Sequence, residues 1–128
     1  MAKAIIIDDN ELNLETMMVL LRREGLESIA LVSPHQLEKR LAGETDFAVV
    51  FLDLEFPNYD GMQLVKDLRG LSHLKGVPII AYSVHISEQD EIREAGFDGF
   101  LGKPLNVSKF PDQLRRILDG ELVWEVGQ

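Results

Sequence analysis

Along the chain, short unbroken apolar runs alternate with longer stretches in which apolar residues recur every three or four positions. The runs are Ala4 to Ile7, Ser28 to Val32, Ala48 to Leu52, Val77 to Tyr82 and Gly99 to Leu101, the last being the weakest. A run that is apolar at nearly every position buries both of its faces, as strands of a helix-covered parallel sheet do. Between the runs, Leu14, Met17, Met18 and Leu21, then Met62, Val65 and Leu68, then Phe110, Leu114, Ile117 and Leu118 stand at helical spacing and predict core-facing stripes. Helix starts are signalled by Ser33-Pro34, a cap followed by a proline at the first helical position. Ser87-Glu88-Gln89-Asp90 resembles a capping box with Asp in place of the usual Glu. Five strands alternating with five helices predict an α/β fold, a doubly wound five-stranded parallel sheet with helices on both faces. The pattern occupies residues 1–119 as one domain. Residues 120–128 form a C-terminal tail whose lone tryptophan, Trp124, is expected to pack on the last helix, the alternative being a partner-binding or dimer contact.

Composition narrows the function classes. The chain has 128 residues, 45% of them hydrophobic, enough to bury a core without staples. It contains no cysteine, so disulfides, thiolate metal sites and thiol redox chemistry are excluded. Twenty-two acids against 13 bases leave a net charge of -9, which repels nucleic-acid backbones, and direct nucleic-acid binding is not expected. The apolar segment before Asp8 is too short for a signal-peptide core or a membrane span, so a cytoplasmic location without membrane insertion is expected.

In a parallel sheet of this kind, chemistry gathers at the carboxyl ends of the strands. There the first strand ends in Asp8-Asp9 and the third in Asp53, the fourth is followed by Ser83, and the fifth by Lys103-Pro104. Taken singly, each has a plainer explanation. Asp8-Asp9 can cap the helix that opens at Asn10-Glu11, Ser83 can bond a turn backbone, and Lys103 can be a surface lysine before a turn proline. Asp53 is harder to explain that way, because a lone charge closing an apolar run is costly. Taken together, the three carboxylates repel one another unless a cation joins them. With oxygen ligands alone on offer, that cation is Mg²⁺, and Mn²⁺ should substitute. No histidine metal site is indicated, and His35, His73 and His85 read as loop residues.

These residues resemble the response-regulator receiver family over roughly residues 3 to 119. Val50-Phe51-Leu52-Asp53-Leu54-Glu55-Phe56-Pro57-Asn58-Tyr59-Asp60-Gly61 resembles its phosphoacceptor segment. Asp8-Asp9 is similar to its acidic pair, Pro78 to Ser83 to its fourth strand, and Gly102-Lys103-Pro104 to its Lys-Pro motif. The resemblance implies a flavodoxin-like (βα)5 fold and a phosphorylation-dependent switch of two-component or phosphorelay signalling. It catalyses only its own phosphorylation and dephosphorylation. Asp53 is then the phosphoacceptor, supplied by a phosphohistidine of a histidine kinase or a histidine-phosphotransfer protein. Asp9, Asp53 and the Glu55 backbone carbonyl are direct Mg²⁺ ligands, with Asp8 acting mainly through water. Lys103 and Ser83 bond phosphoryl oxygens. Ser83 and Phe100 are the switch residues that pass the change to a downstream protein target, although plain core packing explains Phe100 nearly as well. In the family the Lys-Pro bond is often cis.

Two positions depart from the family pattern. Val84 replaces a small residue, and its methyl groups are expected to narrow access to the phosphoryl group and lengthen its lifetime. Glu55 sets an extra carboxylate beside the site, where it alters the approach of water or donor. Other readings fit less well. A flavin protein needs a hydroxyl-rich phosphate loop where Asp8-Asp9-Asn10-Glu11 stands. An aspartate-nucleophile phosphatase carries its paired Asp on the first strand. The surviving alternative is a degenerate receiver that acts as a phosphorylation-independent protein-binding module.

Overall fold

The computed structural model describes residues 2–43, 46–55, 60–84 and 89–125. Its elements are β1 (Lys3–Ile7), α1 (Glu11–Arg23), β2 (Glu27–Leu31), α2 (Leu37–Leu41), β3 (Phe47–Asp53), α3 (Gly61–Arg69), β4 (Ile79–Ser83), α4 (Gln89–Ala95), β5 (Gly99–Gly102), α5 (Phe110–Leu118) and β6 (Trp124–Glu125). All strand pairs are parallel, in the order β2-β1-β3-β4-β5-β6. From β1 the chain steps first to one side and then to the other. The order therefore reverses between β1 and β3, where a crevice opens outside the carboxyl ends of the strands.

The unbroken apolar runs are explained by the two cores. On one face, Ile5, Ile7, Val50, Leu52, Ile79, Ala81 and Phe100 meet Leu37 and Leu41 of α2, Val65 and Leu68 of α3, and Ile92 of α4. On the other, Ala4, Ile6, Val49, Phe51, Ile80, Tyr82 and Leu101 meet α1 and α5 through Leu14, Met17, Leu21, Phe110, Leu114 and Ile117. Alternate residues of each strand thus serve opposite cores, and the central strands stay apolar until their carboxyl ends, where Asp53 and Ser83 stand. The helical stripes hold with three exceptions, one of them Met62, which only flanks its core. Leu20 is buried where Met18 was expected and Met18 only flanks the core, while Leu118 is 44% exposed beside the buried Ile117.

The strand predicted from Val77 starts at Ile79. Pro78 has no N–H for the ladder, although its carbonyl accepts from Val50 N at 2.9 Å. The Ile79 amide is taken instead by the Asp98 carboxylate at 2.8 Å, and Asp98 in turn pairs with Arg69. Arg69 also donates to the Val77 carbonyl at 2.8 Å, so one guanidinium ties α3 to the entry of β4. Ser33-Pro34 opens a 3₁₀ turn at Pro34–Gln36, and α2 follows from Leu37 without a side-chain cap. Ser87 and Glu88 of the expected capping box lie outside the described residues.

The tail is where the structure departs most from expectation. Val123 does pack against the α5 side of the core, but Trp124 and Glu125 add a sixth strand beside β5. Trp124 stacks on Phe100 with ring centroids 6.4 Å apart and planes at 5°, and the Arg93 guanidinium of α4 lies 4.2 Å from its ring centre. Gly99 permits the approach, since a Cβ there would lie 2.6 Å from the Val123 carbonyl oxygen. No described helix is long and apolar enough to cross a membrane.

Candidate functional site

The rim of the sheet is held residue by residue. Asp53 pairs with Tyr82, and Ser83 with Gly102, as the last positions of their ladders. One bond beyond each strand continues the pattern. Asp8 N donates to Leu31 O at 3.0 Å, Leu54 N to Tyr82 O at 3.1 Å, and Lys103 N to Ser83 O at 2.9 Å. The side chains named from the sequence therefore project from fixed backbone rather than from free loops.

The structure brings them together. Asp8 and Asp53 are 0% and 1% exposed and Ser83 is fully buried, whereas Asp9 faces solvent. Asp8, Asp9 and Asp53 each offer a carboxylate oxygen, and these oxygens lie within 4.8 Å of one another. Lys103 Nζ bonds Asp53 Oδ1 at 2.6 Å and lies 3.9 Å from Asp8 Oδ2 and 3.4 Å from Glu55 Oε1. Its peptide to Pro104 is cis. Asp53 Oδ1 also accepts from the Glu55 amide at 3.0 Å.

The plain capping role considered for Asp8-Asp9 goes to Asn10, whose side chain accepts from Asn13 N at 3.0 Å. Asp8 Oδ1 supports that turn by accepting from Asn10 N at 2.8 Å. Its other oxygen, Oδ2, is buried without a hydrogen-bond partner. A buried acceptor is normally satisfied, and a hard cation between three carboxylates is a suitable partner for this one. The donor set, all oxygen and net negative, fits a divalent ion of the Mg²⁺ type.

Burial pushes the Asp8 carboxyl up to about 6 and the neighbouring Asp53 adds to this, while the Asn10 amide and Lys103 act against it. Burial disfavours the Lys103 ammonium, but the bond to Asp53 and the charges of Asp53, Asp8 and Glu55 outweigh it and hold its pKa above the ordinary value. The lysine is thus a fixed positive charge in the pocket.

Two groups in the site, Tyr82 and the Val84 amide, were not singled out from the sequence, and the expected extra carboxylate of Glu55 does stand beside it. Tyr82 lies under Lys103, with Nζ 4.5 Å from its ring centre. Burial raises its phenol well above the usual range, helped by Asp8, Asp53 and Glu55, so it stays neutral. The Val84 amide and the Glu55 carboxylate also face the pocket. Glu55 Oε2 accepts from the Ser83 hydroxyl at 2.6 Å and Oε1 from Val84 N at 3.0 Å. Strand alternation beside Ser83 could have placed Tyr82 under the lysine, but nothing local in the sequence aims Glu55 across the rim. The Val84 side chain itself is 53% exposed. Phe100 is fully buried beneath Trp124. Phe56 to Tyr59 of the phosphoacceptor-like segment, and His85, lie outside the described residues. His73 is exposed, and His35 sits in the Pro34–Gln36 turn.

Residues 4–115 match the family model of the response regulator receiver domain. The chain belongs to that family. This receiver domain is 29% identical over 121 residues to the polar-differentiation response regulator DivK of Brucella ovis, covering 92% of this chain and 98% of that protein. It is 29% identical over 119 residues to hybrid signal transduction histidine kinase A of Dictyostelium discoideum, covering 89% of this chain and 6% of that one. Among solved structures, the chemotaxis response regulator CheY4 of Vibrio cholerae superposes with a TM-score of 0.79 at 25% identity, covering 91% of this chain and 98% of that one. A CheY-like receiver domain from Methylobacillus flagellatus superposes with a TM-score of 0.77 at 28% identity and the same coverage.

Proposed function

We propose that this receiver domain is a phosphorylation-dependent protein switch, in which Asp53 accepts a phosphoryl group from a phosphohistidine of a sensor kinase or phosphotransfer protein. The observation that carries the reading is the buried Asp53 carboxylate, bonded to Lys103 Nζ at 2.6 Å and clustered with Asp8 and Asp9. An Asp53 oxygen attacks phosphorus, a P–O bond forms as the P–N bond to the donor imidazole breaks, and the product is an acyl phosphate. Asp8, Asp9, Asp53 and the Glu55 carbonyl would hold Mg²⁺, whose chemistry is to neutralise charge on the transferring group. Lys103 steadies the Asp53 carboxylate beforehand and pairs with a phosphoryl oxygen afterwards, and the Ser83 hydroxyl bonds another.

Output passes through protein contacts rather than nucleic acid, consistent with the -9 net charge. The bond from Ser83 couples the site to the core beneath β4, where Phe100 packs, and so to the face made by α4, β5 and α5. The setting we propose is the cytoplasm. The test is intact-protein mass spectrometry after incubation with acetyl phosphate and Mg²⁺, beside an Asp53→Asn variant and an EDTA control. A gain of one phosphoryl mass only in the wild type with Mg²⁺ is expected. No gain in folded protein would assign the chain to the phosphorylation-independent binding modules.

A further inference from the structure

Glu55 answers a question that the phosphoacceptor reading leaves open, namely what occupies the phosphoryl pocket before a phosphoryl group arrives. Its carboxylate spans two donors, with the Ser83 hydroxyl 2.6 Å from Oε2 and the Val84 amide 3.0 Å from Oε1. Lys103 Nζ lies 3.4 Å from Oε1. A hydroxyl, a backbone N–H and an ammonium converging on one planar anion form the donor set that a tetrahedral phosphoryl group would need. Ser83 and Lys103 are the same two groups assigned above to its oxygens. The carboxylate belongs to the residue two positions after Asp53, whose own amide is pinned to Asp53 Oδ1 at 3.0 Å, so its reach across to β4 starts from fixed backbone. The two oxygens of one side chain thus bond Ser83 and Val84 from within the chain.

Resting on the phosphoacceptor reading, we propose that the Glu55 side chain is an internal stand-in for the phosphoryl group, holding its donors in the unmodified protein and having to leave before Asp53 can be phosphorylated. Both anions need the same hydroxyl and the same amide, and neither donor serves two acceptors equally well. Phosphorylation then exchanges one anion for another at Ser83, and the different position of the new acceptor is what Ser83 passes on to the core beneath β4. Glu55 thereby sets the rate of loading, and its release toward solvent accompanies modification. The side chain is 26% exposed, so part of it already meets solvent.

Three variants separate this from simple charge repulsion of an anionic donor. Glu55→Ala removes the carboxylate, Glu55→Gln removes its charge, and Glu55→Asp keeps the charge but shortens the reach by one methylene. Each is compared with wild type in two assays. The first follows the Val84 amide in ¹H–¹⁵N spectra of metal-free, unphosphorylated protein. The second follows the initial rate of phosphoryl gain from acetyl phosphate with Mg²⁺ by intact mass. We expect the Val84 amide to move upfield in Glu55→Ala and in Glu55→Asp, and both to load roughly tenfold faster than wild type, the scale of one bond to a charged acceptor. If Glu55→Asp behaves as wild type while Glu55→Gln loads as fast as Glu55→Ala, charge alone acts and the stand-in is refuted. An unmoved Val84 amide in Glu55→Ala refutes it equally, even if loading proceeds. If no protein, wild type included, gains phosphoryl mass, the phosphoacceptor reading itself fails and takes the competition with it.

Discussion

Lys103 is the only cation seen among the carboxylates of the described site, and removing it should expose how much the pocket depends on it. In Lys103→Met the stem volume is kept and the ammonium is lost. Asp53, 1% exposed, then loses its 2.6 Å partner, and Asp8 and Glu55 lose a positive charge 3.9 and 3.4 Å away. Breaking a buried ion pair from one side costs about 3–5 kcal/mol, because the charge left behind is uncompensated. The lysine side chain is 12% exposed, so the lower end, about 3 kcal/mol, is expected. The partner variant Asp53→Asn removes the most tightly bound of the carboxylates. If the Lys103–Asp53 bond carries the effect, Lys103→Met should cost at least ~1.5 kcal/mol less in the Asp53→Asn background, the lower bound for a bond to a charged group. Urea unfolding of the four proteins at pH 7 in EDTA, followed by circular dichroism, closes the double-mutant cycle. Additivity to within ~0.5 kcal/mol would refute the reasoning, since it would mean that the two side chains do not interact in the folded protein.

The raised Asp8 carboxyl makes metal-free stability depend on pH in a stated direction. With a folded value of about 6 against an ordinary 3.8, the folded protein binds the proton more tightly than the unfolded chain does. Asp8 therefore withdraws stability as pH rises from about 4 to about 6, by up to ~3 kcal/mol. Denaturant titrations across that window in EDTA should show the fall and Asp8→Asn should flatten it, and a rise through the window in the wild type that Asp8→Asn leaves unchanged would contradict it. At neutral pH, Mg²⁺ should raise the melting temperature of wild type and fail to do so in Asp8→Asn. At the other edge of the sheet, Trp124→Ala should cost about 1–2 kcal/mol in the same unfolding assay by removing the stack on Phe100 and the Arg93 contact. Trp124→Phe should cost less, since it keeps a ring and removes an indole N–H that is buried without a partner.

The local pattern was enough to read the α/β fold, because burying a strand on both faces forces an apolar residue at nearly every position. Ile5, Ile6 and Ile7 serve opposite cores in turn, and that constraint is visible in the sequence alone. It also makes the first polar residue after each run conspicuous, which is why Asp8, Asp53, Ser83 and Lys103 were legible as rim residues before their distances were known. What depended on register and reach between strands was not legible. Glu55 meets Ser83 across 28 positions, and that meeting rests on Asp53 pairing with Tyr82 and on Leu54 continuing the ladder. The tail of two strand residues is too short to show a period, and its place beside β5 is decided by the absence of a Cβ at Gly99 and by the flat stack of Trp124 on Phe100. Leu118 fits the helical spacing but is 44% exposed, because spacing names a stripe and not how wide a part of it the core covers. Sequence by itself determined which residues must be inside and which polar groups crown the strands. Only the tertiary structure decided which of those groups touch, because contact across a parallel sheet is set by strand register, over separations at which the chain carries no periodic signal.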